Sequence, residues 1–180
     1  MTVARSPRTA PRIVVQRQGT RGAPHARDLK AWALAALAGR TAAAQITIRV
    51  VGTDEMTDLN LRYRGRAAPT NVLSFPLAMP AVAGGGDQSA TAAAGPHGDI
   101  VVCAPVVAAE AAAQHKPLAA HWAHLTVHAV LHLLGHDHAR RADAAVMEAR
   151  EVAVLAGFGI PDPYVVRSTQ APRTAVAGNR

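Results

Sequence analysis

The chain has 180 residues, is 49% hydrophobic and carries a formal net charge of +7, with 17 of its 19 basic residues arginine. That length fits one domain with enough chain to bury a core, and no apolar run approaches the ~20 residues of a membrane-spanning helix. The basic balance favours polyanionic partners without fixing a fold, while the single cysteine, Cys103, excludes an internal disulfide and suits a reducing cytoplasm.

Residues 1–11 are polar, basic and proline-bearing, and read as a disordered arm. Ile13-Val14-Val15 opens a short strand. From Ala26 to Leu37, the positions Leu29, Ala33, Leu34 and Leu37 mark an apolar helical face that Gly39 closes. Gln45 to Val51 alternates, with Ile46, Ile48 and Val50 on one side and Thr47, Arg49 and Val51 on the other, the pattern of a half-buried strand. Thr53 is placed to cap a second helix, with Asp54 and Glu55 in its first turn, Met56, Leu59 and Tyr63 on one face, and Gly65 at its end. Val72 to Leu77 reads as a strand stopping near Pro76. Residues 79–97, rich in glycine and alanine, read as a flexible loop. Ile100 to Ala104 is apolar enough for a central strand.

Pro105 then begins a helix to about Gln114, proline being tolerated in a first turn. Pro117 starts the next helix, which carries His128 and His132 and ends near Gly135. A last helix spans Ala139 to Leu155, with Met147, Val154 and Leu155 among its apolar positions, and Pro161-Asp162-Pro163 ends the fold ahead of a tail at 167–180. The expected architecture is α+β: one domain over 12–166, a small mixed sheet of about four strands packed with helices, and a metal site on a helix followed by a glycine turn.

That site is the stretch from His128 to His138, where three histidines follow the pattern H-x3-H-x5-H. Residues four apart on a helix lie about 40° apart around its axis, so His128 and His132 can aim at one point. Gly135 can adopt the left-handed conformation that turns the chain back and delivers His138. Three neutral imidazoles with an open position form a catalytic zinc arrangement, one ion per chain; the same donors also suit nickel or copper. The opposing reading is a half-buried polar stripe, because His121, His124, His128 and His132 share one helix face. The fixed spacing around Gly135 favours metal; His121 and His124 then read as helix-surface residues or as supports for the ligands, and His25, His97 and His115 carry no signal. Zinc peptidases with this spacing place a glutamate after the first histidine as the water-activating base, and here that position is Ala129. A metalloprotease-like hydrolase is therefore the weaker reading.

The stretch resembles the histidine signature of the YbeY family, bacterial endoribonucleases that mature ribosomal RNA, with Ala129 in place of the usual glycine and His136 in place of the usual aromatic residue. Asn60-Leu61-Arg62-Tyr63-Arg64-Gly65 with Pro69-Thr70-Asn71-Val72-Leu73-Ser74-Phe75-Pro76 is similar to a second family block, and Gly98-Asp99-Ile100 to a third. The resemblance runs from about residue 45 to about 164. It implies a zinc-dependent, single-strand-specific endoribonuclease acting on 16S ribosomal RNA 3′ ends and in ribosome quality control, in the cytoplasm, with small-subunit proteins and a ribosome-assembly GTPase as partners.

The resemblance assigns Arg64 to catalysis or phosphate contact; by position alone Arg64 reads equally as a solvated cation complementing a helix dipole. Arg62 and Arg66 are weaker candidates for backbone contacts on the same rim. Asp137 reads either as an acceptor orienting a ligand imidazole or as an aspartate bonding its own turn. Ser74 reads as a phosphate-contacting hydroxyl, and His136 as a neighbour of the ligands or the substrate. A third reading, a non-catalytic ribosome-associated zinc protein, separates from the nuclease by whether loss of Arg64 affects RNA processing.

Overall fold

The alternating stretch around Ile46, Ile48 and Val50 lies at the heart of the molecule, with all three side chains almost fully buried. The computed structural model describes residues 10–17, 20–37, 44–77, 96–136 and 141–165. In chain order the described residues form β1 (Arg12–Arg17), α1 (Ala26–Leu37), β2 (Gln45–Val51), α2 (Thr53–Arg64), β3 (Val72–Pro76), β4 (His97–Cys103), α3 (Ala104–Ala113), α4 (Leu118–Leu133) and α5 (Arg141–Ala156). The sheet order is β1-β2-β4-β3; β1, β2 and β4 run parallel and β3 pairs antiparallel with β4. Parallel neighbours need a crossover, which α1 supplies between β1 and β2. The result is the expected α+β fold with a four-stranded mixed sheet.

Helices cover both faces of the sheet. The larger core joins Ile46, Ile48, Val50, Ile100 and Val102 to α1, α4 and α5 through Leu29, Trp32, Trp122, Leu131, Met147 and Leu155. On the other face Met56 of α2 closes a smaller cluster with Val51, Leu73, Val101 and Cys103. Cys103 is a fully buried core residue. With aromatics at 3% of the chain, alanine fills much of the helix contact: Ala33, Ala36, Ala123 and Ala129 are all buried.

Several local expectations are corrected. Thr53 does not cap α2: the N-cap is Gly52, with no side-chain hydrogen bond, and the Thr53 hydroxyl lies 3.4 Å from Asp54 Oδ1. Tyr63 is not on the buried face of α2. Asn60, four residues after Met56, takes that place and donates to the Ala68 carbonyl at 2.6 Å, while the Tyr63 ring rests edge-on against Phe75, 4.8 Å between centroids. Leu34 of α1 is exposed, since the buried stripe is Leu29, Trp32, Ala33, Ala36 and Leu37. Strand β4 begins at His97 rather than Ile100, because His97, Gly98 and Asp99 pair with β2, and Gly98 and Asp99 also with β3, although their side chains give no apolar signal. Of the expected 79–97 loop, 79–95 lie outside the described residues, as do Gly39, Ala139, most of the N-terminal arm and the 167–180 tail. Among the described residues no helix is long and apolar enough to cross a membrane.

Candidate metal centre

Helix α4 has one side built from Trp122, Ala123, Leu125, Val127, Ala129, Val130 and Leu131, which bury it in the larger core. That anchorage fixes the rotation of the helix and therefore the direction of His121, His124, His128 and His132. The helix ends as its glycine requires: Gly135 has φ 82°, its N–H donates to the His132 carbonyl at 2.9 Å, and the His136 N–H donates to the Leu131 carbonyl at 3.0 Å. These two bonds define a Schellman closure and satisfy carbonyls that the helix leaves open.

His128 Nε2 and His132 Nε2 face each other at 3.1 Å, with the rings nearly perpendicular at 84°. Two nitrogens bonded to one tetrahedral zinc at ~2.0–2.1 Å stand about 3.3–3.4 Å apart. The pair therefore fits a shared ion after a shift of a few tenths of an ångström. The third expected ligand, His138, and the neighbouring Asp137 lie outside the described residues.

A cleft of roughly 490 Å³ opens beside this pair, lined by Arg64, Asn71, Val72, Ser74, Pro76, His128 and His132. Each wall has a local cause. Gly65, at φ 67°, ends α2 with its N–H on the Asn60 and Leu61 carbonyls, which sets Arg64 at the helix end. Val72, Ser74 and Pro76 alternate along β3 and so present one face. Asn71 donates to both carboxylate oxygens of Glu110 at 3.1 Å and accepts the Val72 N–H at 2.7 Å, tying the start of β3 to α3. The fold thus brings Arg64, Ser74, His128 and His132 to one cavity from three different elements. Arg62 is exposed and is not among the lining residues. His136 is turned to α5, where its Nε2 accepts from Arg150 Nη1 at 3.0 Å.

Of the two readings of His121, a helix-surface residue or a support for the ligands, the first is corrected: it is 4% exposed, with Nε2 2.9 Å from Glu110 Oε2. His124 is also largely buried, its Nε2 3.1 Å from Glu151 Oε2.

Glu151 and Tyr164 are the residues that sequence reasoning missed. Glu151 is fully buried and lies behind the histidine face. Its Oε1 is 2.7 Å from His128 Nδ1, and its Oε2 takes bonds from His124 and the Tyr164 hydroxyl. Burial opposes ionisation, yet the hydrogen bonds from His124, His128 and Tyr164 outweigh it and hold the Glu151 carboxyl at about 2. Burial, the Glu151 bond and the nearby carboxylates push the Tyr164 phenol well above its ordinary range. The signal for Glu151 was present: Met147, Glu151 and Leu155 form an i, i+4, i+8 stripe with a carboxylate at its centre, and all three are buried. His124, His128 and Glu151 also bring one ligand atom each within 4.8 Å of one another, a grouping that could hold a metal ion. His128 belongs to both groupings.

The chain is similar to known proteins along most of its length. The family profile described as Endoribonuclease YbeY matches residues 18–159. A protein of Methylococcus capsulatus named Endoribonuclease YbeY is 45% identical over 152 residues, covering 84% of this chain and 94% of that protein. One of the same name from Halorhodospira halophila is 49% identical over 145 residues, covering 81% and 90%. The solution structure of a Thermotoga maritima protein is similar in fold, with a TM-score of 0.53 at 22% identity, covering 82% of this chain and 91% of that one. Nearly half of the aligned residues match over most of the chain's length, and the profile spans strands, cleft and histidine helix together, so the chain belongs to the YbeY endoribonuclease family.

Proposed function

We propose that the protein is a zinc-dependent endoribonuclease that cuts single-stranded RNA in the cytoplasm, acting in 16S ribosomal RNA 3′-end maturation and ribosome quality control. Small-subunit ribosomal proteins and a ribosome-assembly GTPase are the proposed partners that present the substrate. The single observation carrying this reading is that Arg64 and the His128–His132 pair line the same cleft.

In this reading His128, His132 and His138 hold the metal. Zinc in such a site supplies Lewis-acid polarisation of a phosphoryl oxygen and a more acidic water. Arg64 contributes a planar fork of donors that binds and orients a phosphate and stabilises charge developing on it. The Ser74 hydroxyl, on the same face of β3, offers one further donor to the RNA backbone. Arg62 and Arg66, exposed on either side of Arg64, extend a basic rim for sequence-independent phosphate contact. The peptidase reading gains no support, since Ala129 is a fully buried methyl group in the larger core.

Cleavage of a labelled small-subunit RNA precursor by the zinc-loaded protein tests the proposal. Arg64→Ala is expected to lower the rate by on the order of 10²–10³ while leaving zinc content and melting temperature unchanged. Equal cleavage by both proteins would remove Arg64 from the mechanism. Absence of any cleavage by wild type, with and without ribosomal subunits, would reject the nuclease reading.

A further inference from the structure

We propose that Glu151, buried behind the histidine face of α4 and anchored by His124 and Tyr164, is the positioning residue that fixes the His128 tautomer and aims its Nε2 into the cleft. This inference rests on the metal-binding part of the function proposed above.

With the Tyr164 hydroxyl donating to Oε2 and His124 beside it, Glu151 meets His128 as an acceptor, so the 2.7 Å contact with Oε1 places the proton on His128 Nδ1. A neutral imidazole then has its lone pair on Nε2, the atom 3.1 Å from His132 Nε2 in the cleft. Without that partner either tautomer is accessible, and one of them directs an N–H toward the ion. A carboxylate on the far nitrogen also makes the ring more basic and holds its plane. Burying a carboxylate is costly unless its lone pairs are met by donors. Here His128 serves Oε1, while His124 and Tyr164 serve Oε2.

Direct ligation by Glu151 fits less well. A ligand nitrogen and oxygen on one tetrahedral ion stand about 3.3 Å apart, whereas His128 Nδ1 and Glu151 Oε1 are at 2.7 Å, a charge-assisted hydrogen bond. Glu151 also has no solvent exposure, so an ion there would have no open side for a substrate.

Tyr164 comes from the segment that follows α5. That segment is fastened by Lys116 Nζ donating to the Pro163 carbonyl at 2.9 Å and by the Tyr164 N–H donating to Asp162 Oδ1 at 2.8 Å. The end of the fold therefore completes the support of a residue on α4.

The test measures zinc affinity by competition with a chromophoric chelator for wild type, Glu151→Gln, Tyr164→Phe and His132→Ala. Histidine tautomers are read by nitrogen-15 NMR on the metal-free proteins, and melting temperature is measured alongside. Glu151→Gln is expected to lose roughly 10–100-fold in zinc affinity and to move His128 from the Nδ1–H form toward a mixture. Tyr164→Phe is expected to show a smaller loss in the same direction, and His132→Ala the largest. A Glu151→Gln protein that melts lower but keeps both zinc affinity and tautomer would reduce Glu151 to a packing role and overturn the proposal. Zinc retained by His132→Ala but abolished by Glu151→Gln would make Glu151 a ligand and overturn it as well. Should Glu151→Gln not fold, Tyr164→Phe carries the test, and unchanged affinity and tautomer there overturn it. Failure of wild type to take up zinc would sink the function proposed above together with this inference; unchanged Glu151→Gln in a zinc-binding wild type sinks this inference alone.

Discussion

Gly98 shows how tightly the sheet and the histidine helix are fitted. It opens the Gly98-Asp99-Ile100 stretch, pairs with Pro76 of β3 and Ile46 of β2, and is buried. A β-carbon built there would lie 2.5 Å from the Phe75 carbonyl oxygen and 2.8 Å from Leu133 Cδ2. Leu133 can rotate, but the Phe75 carbonyl is backbone of the paired strand, so β3 must move. Overpacking of this kind costs ~1–3 kcal/mol, and a clash with backbone belongs in the upper half of that range. At about 2–4 °C per kcal/mol for a chain of this size, Gly98→Ala should melt roughly 4–12 °C lower. The displaced strand carries Ser74 in the wall of the cleft, and Leu133, whose side chain must rotate, directly follows His132, so zinc affinity should fall with stability. Urea denaturation of the metal-free proteins gives the first quantity and chelator competition the second. Wild-type stability to within ~0.5 kcal/mol would refute the close-approach reasoning.

Two further outcomes follow from local structure. Gly52 caps α2 with φ −86°, an ordinary conformation for any residue, and a β-carbon there meets nothing within 4 Å. Gly52→Ser should therefore stabilise by ~0.5–1 kcal/mol, through a new cap bond and a less flexible unfolded chain, measurable in the same urea experiment. The Cys103 thiol is fully buried, and burial raises its pKa against a smaller opposing effect of the hydrogen bond with the Val106 backbone. Iodoacetamide at mildly alkaline pH should alkylate the native protein at least about 100-fold more slowly than the urea-unfolded chain; comparable rates would show that the β4–α3 junction opens readily.

What the sequence by itself determined was local and periodic. Two-residue alternation placed β2, glycines after apolar runs marked the ends of α2 and α4, and the four-residue gap between His128 and His132 put two imidazoles on one face. Short-range geometry decides each of these, so the chain spells them out. Side chains brought together by folding were less legible. Tyr63 and Leu34 carry the right hydrophobicity for burial, but their exposure depends on which neighbour reaches that turn of the helix. His97-Gly98-Asp99 belongs to β4 because β2 and β3 supply hydrogen-bond partners on both sides. By position alone Arg64 read equally as a helix-end cation, and only the resemblance assigned it to catalysis or phosphate contact; the fold sets it in the same cleft as His128, some sixty residues on in the chain. No motif singled out Glu151; only the packing of α5 against α4, with Tyr164 arriving from beyond it, brings three donors to its carboxylate and makes burial of that charge tolerable. A buried charge is stable only where its partners converge, and that convergence is a property of tertiary structure.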